Sequence, residues 1–213
     1  MNRRAKRILI TAGPTWVAID PVRVISNTGS GETGITLARR LAQTGCRVTL
    51  LLGPAAAQQP PATFAGITLR RFRFFDELAR LFDAELKKKY DAVIHTAAVS
   101  DYKPAATAVN KIRSDRPELT LRLVRTPKLI ARISRFASQS FAVGFKFEPG
   151  AAQAILIKRA QELLETAELD MVVANTAHKG RYAAWLVTIS GVSEKLNSKN
   201  AVIEALVQTV TGL

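Results

Sequence analysis

The fold of this chain is decided by two segments near its start, Ile10-Thr11-Ala12-Gly13-Pro14-Thr15 and Asn27-Thr28-Gly29-Ser30-Gly31-Glu32-Thr33-Gly34. The first is an apolar strand that ends in a turn, and the second is a glycine-rich turn that opens a helix. Backbone N–H groups at a helix start point at whatever lies in front of them, and the helix dipole favours an anion there. Glycine lets the backbone approach a phosphate because it has no Cβ. The two segments therefore predict a phosphate site.

Strand-like and helix-like patterns alternate along the rest of the chain. Strands are expected at residues 7–12, 48–52, 67–72, 91–97, 119–124, 141–147, 170–174 and 184–189, the last in a hairpin through Ser190-Gly191. Helices are expected at residues 31–44, around 78–86, from Pro127 onward, at 151–167 and after a cap at Ser198. This alternation indicates an α/β, Rossmann-like fold, a mostly parallel sheet with helices on both faces in three layers. We expect residues 1–213 to form a single domain, with a loop at 55–66 and a long polar, functional connection at 98–116.

The composition limits the classes of protein to which the chain can belong. The net charge of +14 over 213 residues predicts attraction to polyanions, which could be nucleic acid, membrane phosphates or small phosphorylated substrates, or else a solvated basic surface without a ligand. No apolar run approaches the ~20 residues that cross a bilayer. The single cysteine, Cys46, cannot form an internal disulfide, which favours a cytoplasmic location. Two histidines without a cysteine or carboxylate cluster predict no metal site in the protein itself.

The turn from Gly29 to Gly34 also matches the dinucleotide-binding pattern G-x-G-x-x-G. In that pattern the glycines follow the first strand directly, whereas about sixteen residues separate them here. The second strand should end at a carboxylate that holds the ribose, but it ends at Leu51-Leu52-Gly53-Pro54. An NAD(P)-dependent oxidoreductase is therefore the weaker alternative.

Five motifs in order along the chain resemble those of the phosphopantothenate–cysteine ligases, the ligase domain of bifunctional coenzyme A biosynthesis proteins. They are Ile19-Asp20-Pro21-Val22-Arg23-Val24-Ile25-Ser26-Asn27, Ala97-Ala98-Val99-Ser100-Asp101 followed by Lys111-Ile112, Val143-Gly144-Phe145, Asp170-Met171-Val172-Val173-Ala174-Asn175, and the start of the last helix at Ser198-Lys199. The resemblance covers nearly the whole chain.

The resemblance implies a reaction that joins 4′-phosphopantothenate to cysteine with CTP, or ATP, and Mg²⁺. The substrate carboxylate attacks the α-phosphate, pyrophosphate leaves, and the amine of cysteine displaces CMP from the acyl-cytidylate. Such a site acts by positioning its substrates and by neutralising phosphate charge. The resemblance further implies a homodimer with active sites near the subunit contact. Because the chain lacks the flavin-binding decarboxylase domain often fused to this ligase, a separate flavin-dependent decarboxylase is expected.

The resemblance also implies a role for each matched residue. Asn27 would help to form the acyl-nucleotide, Arg23 would contact an anionic substrate, and Lys111 would neutralise phosphate or stabilise the intermediate. Asp101 would contact the nucleotide or its metal, Phe145 would lie against the cytosine, and Asn175 would bind substrate at a strand end. The expected nucleotide site consists of Gly13, Gly29, Ser30, Gly31, Gly34, Ala97, Ala98, Asp101, Phe145 and Lys158.

The chain departs from the family pattern at four places. Val17 stands where the family usually has glutamate, and Glu32 places a negative charge beside the expected phosphate site. Leu163 and Ala167 occupy the positions of two clamp lysines, so either Lys158 and Arg159 have taken over the clamp or nucleotide binding is altered. A nucleotide-binding paralogue with altered chemistry is the main alternative, and a nucleic-acid-binding protein is a weaker one that rests on charge alone.

Overall fold

The computed structural model describes residues 4–54, 66–115 and 117–213. The strands in these segments are β1 (Arg7–Ala12), β2 (Trp16–Ala18), β3 (Val24–Ser26), β4 (Arg47–Leu52), β5 (Ile67–Arg71), β6 (Ala92–His95), β7 (Tyr102–Pro104), β8 (Leu123–Arg125), β9 (Phe141–Phe147), β10 (Met171–His178), β11 (Arg181–Thr188) and β12 (Gly191–Val192). The helices are α1 (Glu32–Gln43), α2 (Phe75–Leu86), α3 (Arg132–Phe136), α4 (Gln153–Thr166) and α5 (Lys199–Gly212).

A sheet in the order β12-β11-β10-β9-β6-β1-β4-β5 forms the centre of the structure. Its strands are parallel from β10 to β5, and β11 and β12 extend one edge as antiparallel strands. The parallel strands follow the doubly wound order, which reverses direction between β1 and β6. Ligands bind such sheets in the crevice at the carboxyl ends of the strands on either side of that reversal. This places the expected site at the ends of β1 and β6.

Helices cover both faces of the sheet and create two apolar cores. Buried side chains of α1 and α5, such as Leu37 and Leu206, pack on one face, and those of α2, α3 and α4, such as Phe82 and Leu156, pack on the other. Strand side chains alternate between these cores because successive residues point to opposite faces. The predicted three-layer α/β fold is thereby confirmed.

Two hairpins lie outside the central sheet and correct part of the prediction. The strand expected at 119–124 is reduced to β8, which pairs with β7 rather than with the sheet. The helix expected from Pro127 begins only at Arg132. The cause is the contact of Thr126 with the loop after β6: its N–H donates to the carbonyl of Asp101 at 3.0 Å and its hydroxyl to that of Ser100 at 2.6 Å. The other hairpin joins β2 and β3.

The predicted strands at 7–12 and 141–147 are confirmed residue for residue. The strand expected at 170–174 extends to His178 and forms its own hairpin with β11 through Lys179 and Gly180, both with positive φ. The predicted turn at Ser190-Gly191 leads only into the two-residue strand β12. The predicted loop at 55–66 falls outside the described residues except for Gly66. In the described part of the chain, no helix is long and apolar enough to cross a membrane.

Candidate active site

The turn after β1 lies in the crevice at the carboxyl edge of the sheet. Gly13 has a φ of +80°, and a Cβ there would lie 3.2 Å from the backbone nitrogen of Gly53. The next residues are held to the loop after β6, because Ala98 N–H donates to the carbonyl of Gly13 at 3.0 Å and Thr15 N–H to that of Ala98 at 3.3 Å. The predicted site residues Gly13 and Ala98 are therefore direct neighbours.

Two further glycines allow α1 to approach the ends of β1 and β6. A Cβ on Gly34 would lie 2.5 Å from the Cβ of Ala12 and 2.6 Å from the hydroxyl of Thr96. One on Gly29 would lie 2.9 Å from the Cβ of Ala98. Packing of the helix against the sheet thus requires glycine at both positions, and this packing sets the position of the helix start.

The start of α1 is open to an anion. Gly31 is its N-cap, has a φ of +76° and offers no side chain to cap the first turn. Ser30 supplies one hydroxyl acceptor, at 3.3 Å from the N–H of Glu32. The Glu32 carboxylate lies 2.6 Å from the ammonium of Lys199, the first residue of α5. The negative charge expected to disturb a phosphate is therefore paired with a lysine from the opposite end of the chain.

Asn27 connects the loop before α1 to the loop after β6. Its amide nitrogen donates to the carbonyl oxygens of Ala98 and Val99, each at 3.1 Å. Both donor hydrogens are used in these bonds, while the side chain itself is exposed. Donation to a substrate carboxylate would require one of these bonds to be exchanged for the substrate.

Arg23 forms a cluster with Asp20 and Ile112 that we call the Asp20 anchor. The Arg23 guanidinium donates to Asp20 Oδ2 at 2.6 Å and to the carbonyl of Ile112 at 3.0 Å. The N–H of Ile112 also donates to Asp20 Oδ2, at 3.1 Å. Burial acts to raise the pKa of Asp20, but hydrogen bonds from the N–H groups of Val22, Ile112 and Arg23 and from the Arg23 side chain lower it to about 2. The anchor holds the long connection beside the loop of Arg23.

Lys111 directly precedes the anchored residue Ile112. Its side chain is exposed and has no ion-pair partner in the segments that the structure describes. Asp101 is also exposed, but its carboxylate lies 2.6 Å from the ammonium of Lys128. Lys111 is thus a free cation on a tethered loop, whereas Asp101 already has a charged partner.

Phe145 and Asn175 lie in the second half of the adjacent strands β9 and β10, and three more strand residues follow Asn175, which therefore does not end its strand as expected. Phe145 pairs in register with Val173, is half-buried and packs against the core on the side of α1 and α5. Asn175 lies two residues after Val173 and therefore shares its face. Burial raises the pKa of the Tyr182 hydroxyl, and a hydrogen bond from the Asn175 side chain opposes this rise. The Oδ1 atom of Asn175 is buried and has no partner among the described residues.

The replacements expected for the clamp lysines differ in their surroundings. Arg159 is paired with Glu148 at 2.6 Å, and Glu148 also binds Lys146 at 3.1 Å. Lys158, by contrast, is exposed on α4 without an ion pair to a described residue. Leu163 packs against the core that α4 covers, and Ala167 is buried in it. The apolar residues that replace the family's lysines at 163 and 167 therefore pack in the core.

His95 has a packing role in the core. It is buried, stacks on Phe82 with ring centroids 5.2 Å apart, and lies 2.8 Å from the hydroxyl of Thr11 through Nδ1. Burial lowers its pKa to about 4, so the ring is neutral near pH 7. Within the three described segments, no group of three or more histidine, cysteine or acidic residues could hold a metal ion.

Sequence reasoning missed four partners of the predicted site residues: Asp20 as an anchor, Lys128, Glu148 and Lys199. Only Asp20 carried a signal in the sequence. An aspartate followed by proline favours an Asx turn, in which the carboxylate accepts the N–H groups two and three residues later. Its carboxylate does accept from the N–H groups of Val22 and Arg23, at 2.9 and 2.8 Å. The other three depend on contacts between distant segments.

Comparison with known proteins gives a consistent result. Residues 3–212 match the family model described as the DNA/pantothenate metabolism flavoprotein C-terminal domain. The chain is 40% identical over 172 residues to the coenzyme A biosynthesis bifunctional protein CoaBC of Thermococcus kodakarensis, a match that covers 80% of this chain and 41% of that protein. The chain thus spans about two fifths of the length of this curated relative.

Solved structures show the same fold. The DNA/pantothenate metabolism flavoprotein from Streptococcus pneumoniae aligns with a TM-score of 0.87 at 25% identity, covering 98% of this chain and 99% of that one. The C-terminal domain of a coenzyme A biosynthesis bifunctional protein CoaBC aligns with a TM-score of 0.77 at 26% identity, covering 97% and 94%.

Proposed function

The chain belongs to the DNA/pantothenate metabolism flavoprotein C-terminal domain family, and on that premise we propose that it is a ligase that joins 4′-phosphopantothenate to cysteine in coenzyme A biosynthesis. One observation carries the proposal. The start of α1 and the amide of Asn27 lie at the carboxyl ends of β1 and β6, at the reversal of strand order, and the Asp20 anchor holds the residue after Lys111 beside the loop of Arg23. An open helix start and a free lysine suit a triphosphate beside a substrate carboxylate.

The triphosphate is proposed to lie in front of α1. Gly29, Ser30 and Gly31 leave the backbone accessible, and the pairing of Glu32 with Lys199 removes a repulsive charge. Lys111, on the tethered loop, would neutralise the charge that develops as pyrophosphate leaves. Lys158, exposed on the helix that follows β9, is proposed as the replacement for the clamp lysines.

Asn175 and Phe145 are proposed to bind the base. The Oδ1 atom of Asn175 is buried and has no donor among the described residues. A buried acceptor without a partner is unfavourable by about 1–3 kcal/mol, and the exocyclic amine of cytosine or adenine would supply that partner. Uracil has a carbonyl at the equivalent position and would not. We therefore propose CTP or ATP, and not UTP, as the nucleotide.

The substrate carboxylate is proposed to lie beside Asn27, Ala98 and the free groups of Arg23. Mg²⁺ fits this site only as an ion carried by the triphosphate, because the described residues offer no cluster of three ligands and Asp101 is a single carboxylate. Bound there, the ion would neutralise phosphate charge. Asp101 would orient it after leaving Lys128, which lies 2.6 Å away.

The assembly is proposed to be a homodimer that forms through the two hairpins. The β2–β3 and β7–β8 hairpins lie next to each other and expose several apolar side chains, among them Val22, Val24, Tyr102, Val109 and Leu123. A patch of this kind marks an association surface.

The cytoplasm is the proposed location, since the buried Cys46 is free. A separate flavin-dependent decarboxylase is the proposed partner enzyme.

Release of pyrophosphate tests the proposed reaction. The protein is incubated with phosphopantothenate, cysteine and Mg²⁺ and with CTP, ATP or UTP in parallel. We expect release with CTP or ATP, no release with UTP, and a loss of at least 100-fold in Lys111→Gln. Lys89→Gln, which removes an exposed lysine at the amino edge of the sheet, serves as the matched control. Nucleotide binding without pyrophosphate release would instead support the paralogue with altered chemistry.

A further inference from the structure

A cavity of about 820 Å³ lies at the carboxyl ends of β4 and β5, beside the start of α2. None of the proposed active-site residues lines it. Trp16, Gly53, Phe72, Arg71, Arg73 and Arg80 are among the residues that do. Its volume lies in the range of small-molecule sites, which is about 300–1,000 Å³.

The charge around this cavity is unbalanced. Arg71, Arg73 and Arg80 are exposed, and none of them forms an ion pair with a residue in the described segments. One carboxylate, that of Glu77, lies in the lining and accepts from the backbone N–H groups of Arg73 and Phe74 at 2.7 and 3.2 Å. The hydrogen bond from the Arg73 N–H lowers the pKa of Glu77, so the carboxylate stays charged but is already engaged. Three arginines and one glutamate therefore line the cavity.

The inner wall of the cavity is apolar and closely packed. Leu52, Phe72 and Leu81 contribute to the lining, and the half-buried Trp16 adds an indole ring. A Cβ on Gly53 would lie 2.3 Å from the carbonyl oxygen of Pro14 and 2.7 Å from the Phe72 ring, so the floor cannot accept a larger residue without moving. The backbone of Trp16 is held as well, since its main-chain N–H donates to the carbonyl of Arg73 at 2.8 Å, and the indole ring packs edge-on against Phe74.

We propose that this cavity is a second binding site, separate from the active site, for a small molecule that carries a phosphate ester on a flat or apolar body. The guanidinium groups match the phosphate, because their planar N–H donors bind its oxygens in pairs. The flat or apolar part of the ligand would pack against Trp16, Phe72 and Leu81, and this contact would remove it from water. A concave wall of this kind favours a discrete ligand over an extended polyanion. The proposal does not depend on the ligase reaction.

Trp16 provides a local reporter for the test. The chain has two tryptophans, and the other, Trp185, is buried beneath α4, so Trp185→Phe leaves Trp16 as the only source of indole fluorescence. In that background we titrate AMP, inorganic phosphate and a series of oligonucleotides of increasing length. We expect saturable quenching by AMP, with an affinity at least tenfold higher than that of phosphate, and no gain in affinity with oligonucleotide length.

Substitutions locate the ligand. Arg73→Gln and Arg80→Gln should each weaken AMP binding by roughly tenfold or more, as expected for a lost charge-assisted hydrogen bond. Arg47→Gln removes the same charge from the amino end of β4 and should leave binding unchanged, and so should Lys111→Gln in the active site. Circular dichroism checks that each variant is folded. Quenching that does not saturate, equal weakening in Arg47→Gln, loss in Lys111→Gln, or affinity that rises with oligonucleotide length would each overturn the proposal.

Discussion

Gly34→Ala tests how closely the start of α1 depends on its contact with the sheet. Carbon atoms in contact normally lie about 3.5–4.0 Å apart, whereas the new Cβ would lie 2.5 Å from the Cβ of Ala12. Neither neighbour can give way easily, because Ala12 is fully buried in β1 and the Thr96 hydroxyl, 2.6 Å from the new Cβ, donates to the carbonyl of Thr11 at 2.8 Å. We therefore expect α1 to move outward by about 1 Å.

The expected effect on stability is the difference between two terms. Overpacking of this severity costs about 3 kcal/mol, and alanine recovers about 1 kcal/mol over glycine inside a helix. The free energy of unfolding should therefore fall by about 2 kcal/mol, which corresponds to about 4–8 °C in Tm for a chain of this size. Because the helix start moves with α1, the KM for the nucleotide should rise by tenfold or more.

Urea unfolding and the pyrophosphate assay measure these two effects. Gly212→Ala is the matched control, because Gly212 also lies in a helix and a Cβ there would meet nothing within 4 Å. The control should be unchanged or slightly more stable. If Gly34→Ala were as stable as Gly212→Ala and kept its KM, then the Gly34 contact would not position the helix start, and the reasoning would be wrong.

The other predictions concern pH and charge. The folded state lowers the pKa of Asp20 from 3.8 to about 2, so its contribution to stability is complete above pH 3.8 and is lost as pH falls through 2; acid unfolding of Asp20→Asn should lack this component. His95 has its pKa lowered from 6.5 to about 4, so the unfolded state binds the proton first, and stability should fall below pH 6.5 by up to about 1.4 kcal/mol per pH unit. Urea unfolding at several pH values should show this slope in the parent and not in His95→Phe. Lys199→Met should raise the KM for the nucleotide several-fold at low salt, because Glu32 loses its partner, and adding Glu32→Gln should restore it; a KM unaffected by Lys199→Met would count against the proposed phosphate position.

The elements that the sequence predicted well are those with local causes. The mostly apolar runs at 7–12 and 141–147 have the length and composition of strands in a parallel sheet, and both are strands with those bounds. Ser198 is the N-cap of α5, and its hydroxyl accepts the N–H of Ala201 at 3.1 Å. Pro127 is a counterexample, since the preceding residue Thr126 is bound to a distant loop and the local helix signal is overridden.

The α/β class, the glycine-rich helix start and the set of chemically competent residues follow from the amino-acid sequence, because periodicity, backbone freedom and side-chain chemistry are local properties. Which of those residues are available depends on contacts between segments that are far apart along the chain. Arg159 is joined to Glu148 and Asp101 to Lys128, whereas Lys111 has no such partner among the described residues. The carboxylate of Glu32 is likewise paired with Lys199, which lies 167 residues away along the chain. Such pairings depend on where the strands and helices bring the two side chains together. A local sequence pattern carries no information about those contacts.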